Sequence, residues 1–474
     1  MGPRNLDLEA VYQRLPVRLQ HVACSTAGWH TERTRYGHGF QDILEGAEER
    51  ARWTHDDMAS FRDRRLATMV DWCVRTVPYY RELFATLGLT AVDVQSLEDL
   101  AALPILSKVS AQDHAREGVS TAIPVKQTRM SHTSGTTGGA LRFPVTRRAT
   151  QEQWAVWWRY RGWHGIRRGT WCALLAGRSV VPAGQSSPPF WRVNRPGRQL
   201  LFSGYHVNRD NLPHYVDELR RRRPPWLHGY PSLLALLGMH IIDTGGDLGY
   251  VVRWVTTGAE NLLPHQSAVI ERAFGVKPIQ HYGLAEGVAN ISQCELGSLH
   301  VDEDYAAVEF VPDDQETSHR IVGTNVTNLA APLVRYDSQD LAFGPRAAGC
   351  SCGRPGRIVE RIDGRLEDYV VLRSGARVGR MDHIFKDMIN IREAQIRQGV
   401  PGEMVICVVR GRDYTDSDER MLRAETAKRV GNDMTVDLEY VDALPRTATG
   451  KLRFVVSEVE GASIRGGAAS GVDG

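Results

Sequence analysis

The chain has 474 residues, of which 42% are hydrophobic and 24% charged, so it is long enough for more than one domain and has the composition of an ordinary globular protein. Its net charge of +2 offers little to nucleic acid or to an anionic membrane, so neither is an expected partner. No apolar stretch approaches the length of a transmembrane helix. The N-terminal run MetGlyProArgAsnLeuAspLeuGlu contains acidic residues and lacks an apolar core, and Leu6 breaks the myristoylation pattern that Gly2 begins. A cytoplasmic protein is the expectation.

In chain order, residues 8–100 read as helical, with an apolar helix-spaced pattern from Phe61 to Leu87 that breaks at Pro78. A hydroxyl- and glycine-dense run, HisThrSerGlyThrThrGlyGly, occupies 132–139, with Leu141–Val145 as a strand after it. Its glycines let backbone N–H groups approach an anion closely, which suits nucleotide phosphates. Such clusters are also ordinary surface loops, and no lysine follows Gly138 as a GxxxxGK[ST] loop requires. Trp154, Trp157 and Trp158 follow at helix spacing and read first as a core stripe, with an acyl or aryl pocket wall as the second reading.

Residues 168–290 alternate strands (Thr170–Leu175, Trp226–Gly229, Val251–Thr256, Pro278–Tyr282) with helices (Leu212–Arg222, Ser232–Thr244, Pro264–Phe274), the pattern of an α/β domain. The run Arg220–Arg223 reads as the solvated end of a helix. From Tyr305 the chain becomes strand-rich and mainly antiparallel, with strands at Tyr305–Val311, Arg320–Thr327, Leu333–Tyr336 and Arg357–Ile362. After Gly364 a smaller α+β pattern follows: a helix near Asp382–Ile389, a strand Met404–Val409, a helix Ser417–Val430 and a strand Thr435–Val441. The expected domains are 1–366, with a helical N-terminal region over 1–130 and a strand-rich subdomain over 305–364, then 367–460, then a disordered Gly/Ala/Ser-rich tail 461–474.

Further motifs carry chemistry. Gly258-Ala259-Glu260 ends an apolar strand, where α/β sheets place ligands. In HisTyrGlyLeuAlaGlu, 281–286, Tyr282 can stack on a base and Glu286 can hold a divalent metal, although a packed tyrosine beside a solvated glutamate is the plainer reading. Asp340, in ArgTyrAspSerGlnAsp, suits two ribose hydroxyls. GlyArgLeuGluAsp spans 364–368, and ProArgThrAlaThrGlyLysLeuArg spans 445–453 and carries Lys451, a point charge suited to phosphoryl chemistry. Seven cysteines, an odd number, argue against a disulfide framework. Cys24, Cys73, Cys172 and Cys407 read as small core residues. Cys294, His300, Cys350 and Cys352 have the donors of a tetrahedral structural zinc site, against the alternative of reduced thiols beside a solvated histidine.

The ordered series SerGlyThrThrGly, GlyAlaGlu, TyrGlyxxGlu, ArgTyrxxxAsp, GlyArgxxAsp, ProxxxxGlyLys resembles that of the AMP-forming adenylating enzymes: acyl-CoA synthetases, adenylation domains and luciferases. The run 76–84 and LeuProIleLeuSerLys, 103–108, resemble the phenylacetate–CoA ligase branch. The runs 14–20 (ArgLeuProValArgLeuGln), 188–194 (ProProPheTrpArgValAsn) and 228–232 (HisGlyTyrProSer) resemble its capsular-polysaccharide-biosynthesis subgroup. The resemblance implies an α/β protein: a large domain of stacked sheets with helices plus the strand-rich subdomain, and a small mobile α+β C-terminal domain. It implies that a carboxylate attacks the α-phosphate of Mg-ATP and that a thiol of CoA or a carrier protein then displaces AMP. It places Ser134, Gly135, Thr136, Thr137 and Gly138 at the pyrophosphate, and Gly258, Ala259, Glu260, Tyr282 and Gly283 around adenine. Glu286 falls at Mg2+, Asp340 at the ribose with Arg365 nearby, Lys451 at the reacting carboxylate, and Glu367 at the hinge. Arg178, His206, His228 and Tyr230 are candidates for the acid pocket. Two departures stand out: Gly139 replaces a lysine, and Ala285 replaces a threonine of the pattern. Alternatives are transfer to an amine or hydroxyl, an unusual or inorganic acid, and a nucleotide-binding partner without catalysis.

Overall fold

The structure is a computed structural model that describes residues 8–132, 141–177, 180–182, 184–208, 210–260, 262, 264–312, 318–347, 349–363, 369–378, 381–385, 388, 390–410, 414–442, 444–445 and 455–459. The N-terminal region is helical, with helices Leu8–Arg14, Val17–Arg35, Phe40–Arg50, His55–Thr76 and Pro78–Leu87. Thr54 starts the fourth by accepting the Asp57 N–H, and Pro78 starts the fifth at a position where a missing N–H costs nothing. Val77 between them is extended, as a residue before proline prefers.

A six-stranded sheet forms the centre. Its order is Trp191–Asn194, Gln199–Ser203, Cys172–Ala176, Trp226–Gly229, Trp254–Thr257, Pro278–Ile279, parallel except for the first strand. Helices Leu212–Arg222, Pro231–Asp243 and Pro264–Phe274 contribute Tyr215, Leu219, Leu234, Ile241 and Ile270 to a core shared with Ala173, Leu175, Phe202, Leu227 and Val255. Burial of such side chains stabilises by about 1.5–3 kcal/mol each. Gly229 lets the central strands close up: a Cβ there would lie 2.2 Å from the Leu175 carbonyl oxygen.

Two antiparallel four-stranded sheets follow. One runs Ile358–Val359, Leu299–Val301, Asn290–Gln293, His281–Gly283, and the other Ala306–Pro312, His319–Asn325, Tyr336–Phe343, Arg361–Asp363. A C-terminal sheet orders Thr435–Tyr440, Glu403–Arg410, Ile391–Gln398, Val455–Ser457 beside helix Asp416–Val430. Hairpin strands Thr128–His132 and Arg142–Thr146 flank the hydroxyl-rich run, with His132 opposite Arg142.

Several expected elements shift. The helix expected near Asp382–Ile389 is a 3-10 turn, Met381–Phe385, ahead of a strand Ile391–Gln398. Pro278–Tyr282 divides between two sheets, and the strand expected at Leu333–Tyr336 begins only at Tyr336. The strand expected at Arg357–Ile362 also splits between sheets, as Ile358–Val359 and Arg361–Asp363. The hairpin Trp191–Ser203 has no clear sequence signal, because Arg192, fully buried, interrupts its apolar pattern. Gln20, Gln185 and the carbonyls of Pro189 and Trp191 satisfy that guanidinium, so the runs 14–20 and 188–194 meet here. Arg220–Arg223 does close a helix, with Arg221 and Arg222 paired to Glu218. Cys73, Cys172 and Cys407 are buried, whereas Cys24 is half-buried beside the Tyr12 hydroxyl.

Candidate active site

Among the described residues, three of the candidate nucleotide motifs, those of Gly258, Tyr282 and Asp340, come together where the central sheet meets the antiparallel sheets. Tyr282 donates to Asp340 Oδ2 at 2.7 Å across 58 residues of chain. Burial, then the adjacent Asp340 carboxylate, pushes the Tyr282 phenol well above its ordinary range, so it stays a donor. Asp340 is 5% exposed, and its own N–H reaches Ser338 Oγ at 3.2 Å. Glu286 is 7% exposed and close enough to bear on Tyr282, and its carbonyl accepts from Asn325 Nδ2 at 2.8 Å. Gly283 is pressed against His281 and Asn290, leaving no room for a Cβ. Gly258 lies beside the His281 carbonyl, and Ala259 adopts a left-handed φ of 69°.

The LeuProIleLeuSerLys run holds this edge in place. Leu106 N–H donates to the Arg335 carbonyl and Asp337 N–H to the Leu106 carbonyl, at 2.8 and 3.0 Å. Arg335 also caps the Leu103 carbonyl and pairs with Glu309 at 3.0 Å. Two motif residues here, Arg335 and Gln339, have left-handed backbones (φ 54° and 64°), which for non-glycine residues is costly and persists where surrounding contacts impose it.

Of the acid-pocket candidates, His206, His228 and Tyr230 are among the described residues. His206 packs against Phe190 with its Nδ1 2.7 Å from Ser203 Oγ. His228 bonds Thr256 Oγ1 at 2.8 Å. Tyr230 approaches Gly177, where a Cβ would lie 3.0 Å from its hydroxyl, and Tyr205 donates to the Gly177 carbonyl at 2.5 Å. Ser134, Gly135, Thr136, Thr137, Gly138, Arg178, Arg365, Glu367 and Lys451 lie outside the described residues. The tryptophans on helix Arg147–Trp163 are half-buried, and Trp154 and Trp158 pack against the apolar core around Phe40, Leu44 and Ala155, with Trp158 also against Ile166 and Cys172. Trp157 donates to Asn290 Oδ1, and Trp154 carries the Arg35 guanidinium 3.7 Å above its ring.

Two neighbours of the site escape sequence reasoning. His281 stacks on Tyr160 (4.7 Å, 9°) and meets Asn290 Oδ1 at 2.9 Å. Burial, then the nearby Arg161 cation, lowers its pKa to about 3. Arg161 itself stands among aromatic rings; its spacing from Trp154, Trp157 and Trp158 on one helix is the available signal.

Cys294, His300, Cys350 and Cys352 come together, their donor atoms all within 4.8 Å of one another. A tetrahedral zinc with Zn–S of about 2.3 Å sets its sulfurs about 3.8 Å apart. The Cys294 and Cys350 sulfurs are 3.7 Å apart, and Cys352 Sγ is 3.4 Å from His300 Nε2, so the donor set fits such an ion. Burial opposes ionisation of Cys350, but hydrogen bonds from Ser298, Cys352 and His300 outweigh it and hold the thiol at about 6. Burial, then its partner Cys350, pushes Cys352 up to about 12. Glu295 and Arg354, paired at 2.6 Å, bind the two contributing segments beside the cluster.

Comparison with known proteins agrees with this architecture. The protein has the fold of the adenylating enzymes, including their C-terminal domain. The solved 2-hydroxyisobutyryl-CoA ligase, in complex with 2-HIB-AMP and CoA, superposes with a TM-score of 0.55 at 20% identity, over 86% of this chain and 91% of that one. Residues 371–458 match the family model of the CapK C-terminal domain. The chain is homologous to CapK and to the phenylacetate-coenzyme A ligases. It is 22% identical to Protein CapK of Staphylococcus aureus over 462 residues, 96% of this chain and all of that protein. It is 26% identical to the phenylacetate-coenzyme A ligase of Thermus thermophilus over 330 residues, 67% of this chain and 72% of that protein.

Proposed function

We propose that the protein is an ATP-dependent, AMP-forming ligase that adenylates a carboxylic acid and passes the acyl group to the thiol of CoA or of a carrier protein. The observation that carries this reading is the Tyr282–Asp340 hydrogen bond, with Glu286 beside it, which joins two of the motifs into one polar edge. The homologous phenylacetate-coenzyme A ligases supply the reaction class.

In this reading Asp340 accepts the ribose hydroxyls once Tyr282 releases it, and Tyr282 and the Gly258–Glu260 turn flank the base. Glu286, acceptor-only when ionised, is the residue that would hold Mg2+, which supplies charge neutralisation on the phosphates. Ser134 to Gly138 cradle the pyrophosphate portion. Lys451 neutralises charge as the carboxylate oxygen bonds to the α-phosphorus and pyrophosphate departs, and the second step breaks the acyl–phosphate bond as the thiol sulfur attacks the acyl carbon. Glu367 serves as the hinge between the two steps, and residues 367–460 form the moving domain. A structural Zn2+ at Cys294, His300, Cys350 and Cys352 ties the loop 350–352 to the neighbouring hairpin. Ala285 removes one hydroxyl near the phosphates, a loss that slows adenylation without abolishing it.

The test is acid-dependent pyrophosphate release from ATP across aryl, fatty, amino and small acids, followed by mass spectrometry with CoA and with amines. Release with at least one acid, and a fall of about 100-fold or more in Lys451→Ala with ATP binding retained, is expected. ATP binding without release for any acid would instead favour a partner that binds nucleotide and does not catalyse. An amide product in place of a thioester would correct the acceptor.

A further inference from the structure

Helix Arg147–Trp163 carries two buried arginines with opposite surroundings. Arg159 is 3% exposed and has two carboxylate partners, Asp302 at 2.6 Å and Asp304 at 2.8 Å, although its Nε is enclosed without one. Arg161, two residues on, is 5% exposed, and no carboxylate or hydrogen-bond acceptor meets its guanidinium among the described residues. Its Nε is enclosed without a partner. Four rings surround it, Trp158 at 4.9 Å, Trp226 at 5.2 Å, Tyr160 at 5.5 Å and Trp154 at 5.7 Å, and the Cys172 thiol, which burial keeps protonated, is also near. Trp158 Nε1 is a second enclosed donor without an acceptor in the same cluster. Guanidinium does not deprotonate in proteins, and ring faces offset only some of the cost of burying it. A buried cation and a buried N–H, side by side and both unanswered, are complementary to an anion.

This cluster adjoins the candidate site. Tyr160, under the guanidinium, stacks on His281, the residue before Tyr282. Trp226, on its other side, shares Thr256 Oγ1 with His228, at 2.7 and 2.8 Å. The aromatic walls suit a flat or apolar body between the two polar ends.

We propose that Arg161 is the specificity residue of the acid pocket and that the acid carries, besides the carboxylate that is activated, a second anionic group that pairs with this guanidinium. The inference rests on the adenylating reading above and narrows its substrate to dianionic acids.

The experiment uses the full chain and the variants Arg161→Met and Arg161→Lys. Binding of terephthalate and glutarate is compared with that of benzoate and butyrate by calorimetry, with inorganic sulfate as a free-anion control, and pyrophosphate release is measured for the same acids. Wild type should bind the dicarboxylates at least tenfold tighter than the matching monocarboxylates. Arg161→Met should erase that ratio, and Arg161→Lys should keep some of it. Without ligand, Arg161→Met should melt at a higher temperature than wild type, because an apolar side chain of similar length replaces an unpaired charge. Equal binding of both acid classes, binding of neither, or a preference for sulfate alone overturns the proposal, as does a lower melting temperature with the dicarboxylate ratio intact. Dicarboxylate binding that depends on Arg161 without pyrophosphate release from any acid supports the anion site and counts against adenylation.

Discussion

His281 shows how one half-buried ring makes the neighbourhood of the site sensitive to acid. In the unfolded chain its imidazole protonates near the ordinary value of 6.5, and in the folded protein only near 3, first because it is buried and then because Arg161 is close. Between those values the unfolded chain holds a proton that the folded protein does not. Stability is therefore undiminished above pH 6.5 and falls as the pH is lowered from there toward 3, by up to about 1.4 kcal/mol per pH unit. Urea unfolding between about pH 7.5 and 5 should show this slope, and His281→Gln should flatten it. An unchanged slope in the variant would move the effect to another group. Sequence patterns could not reveal this, since the depression comes from rings and cations brought up by a helix far earlier in the chain. Tyr282, Glu286 and Asp340 could be picked out as candidates because a motif restricts residue type at fixed local spacing, but that Tyr282 reaches Asp340 could not be read from the sequence.

At the scale of elements, helices Leu212–Arg222 and Pro264–Phe274 match their sequence pattern from end to end, since an apolar stripe at helical spacing and a proline start report local physics. The hairpin Trp191–Ser203 did not announce itself, because the partners that make a buried Arg192 tolerable, Gln20 and Gln185, lie elsewhere in the chain. The cysteine–histidine cluster is the intermediate case. Its donors were readable, but their meeting depends on pairing of Leu299–Val301 with Ile358–Val359. Elemental analysis should find about one zinc per chain. Chelation or Cys352→Ser should lower the melting temperature and quicken hydrogen exchange in 294–300 and 349–354. Full retention of both in metal-free protein would leave the cluster as reduced thiols.

For the whole molecule, Tyr205 is one residue that joins the C-terminal unit to the central sheet. Tyr205 belongs to the apolar cluster of the C-terminal unit that includes Val370, Val378, Met381 and Ile384, and the Arg429 guanidinium bonds its hydroxyl and lies 5.2 Å from its ring centre. The same hydroxyl reaches the Gly177 carbonyl, so the central sheet, Tyr205 and helix Asp416–Val430 form one continuous path. Arg429→Ala removes a charge-assisted hydrogen bond and a ring contact, a loss of about 1–3 kcal/mol. Faster hydrogen exchange should then appear in both 204–206 and 416–430; a change confined to the helix would mean that the junction is held elsewhere.

The sequence by itself determined the alternation of strands and helices in the central domain, the class of the nucleotide motifs and the set of metal donors, because each depends on residue type over short stretches of chain. Only the folded chain settles which strands pair, that Tyr282 and Asp340 meet, that four scattered donors form one cluster, and that Arg161 is buried without a counter-charge among the described residues. Those facts are sums over contacts distant in sequence, and burial, which sets the cost of every polar group, exists only once the chain has folded.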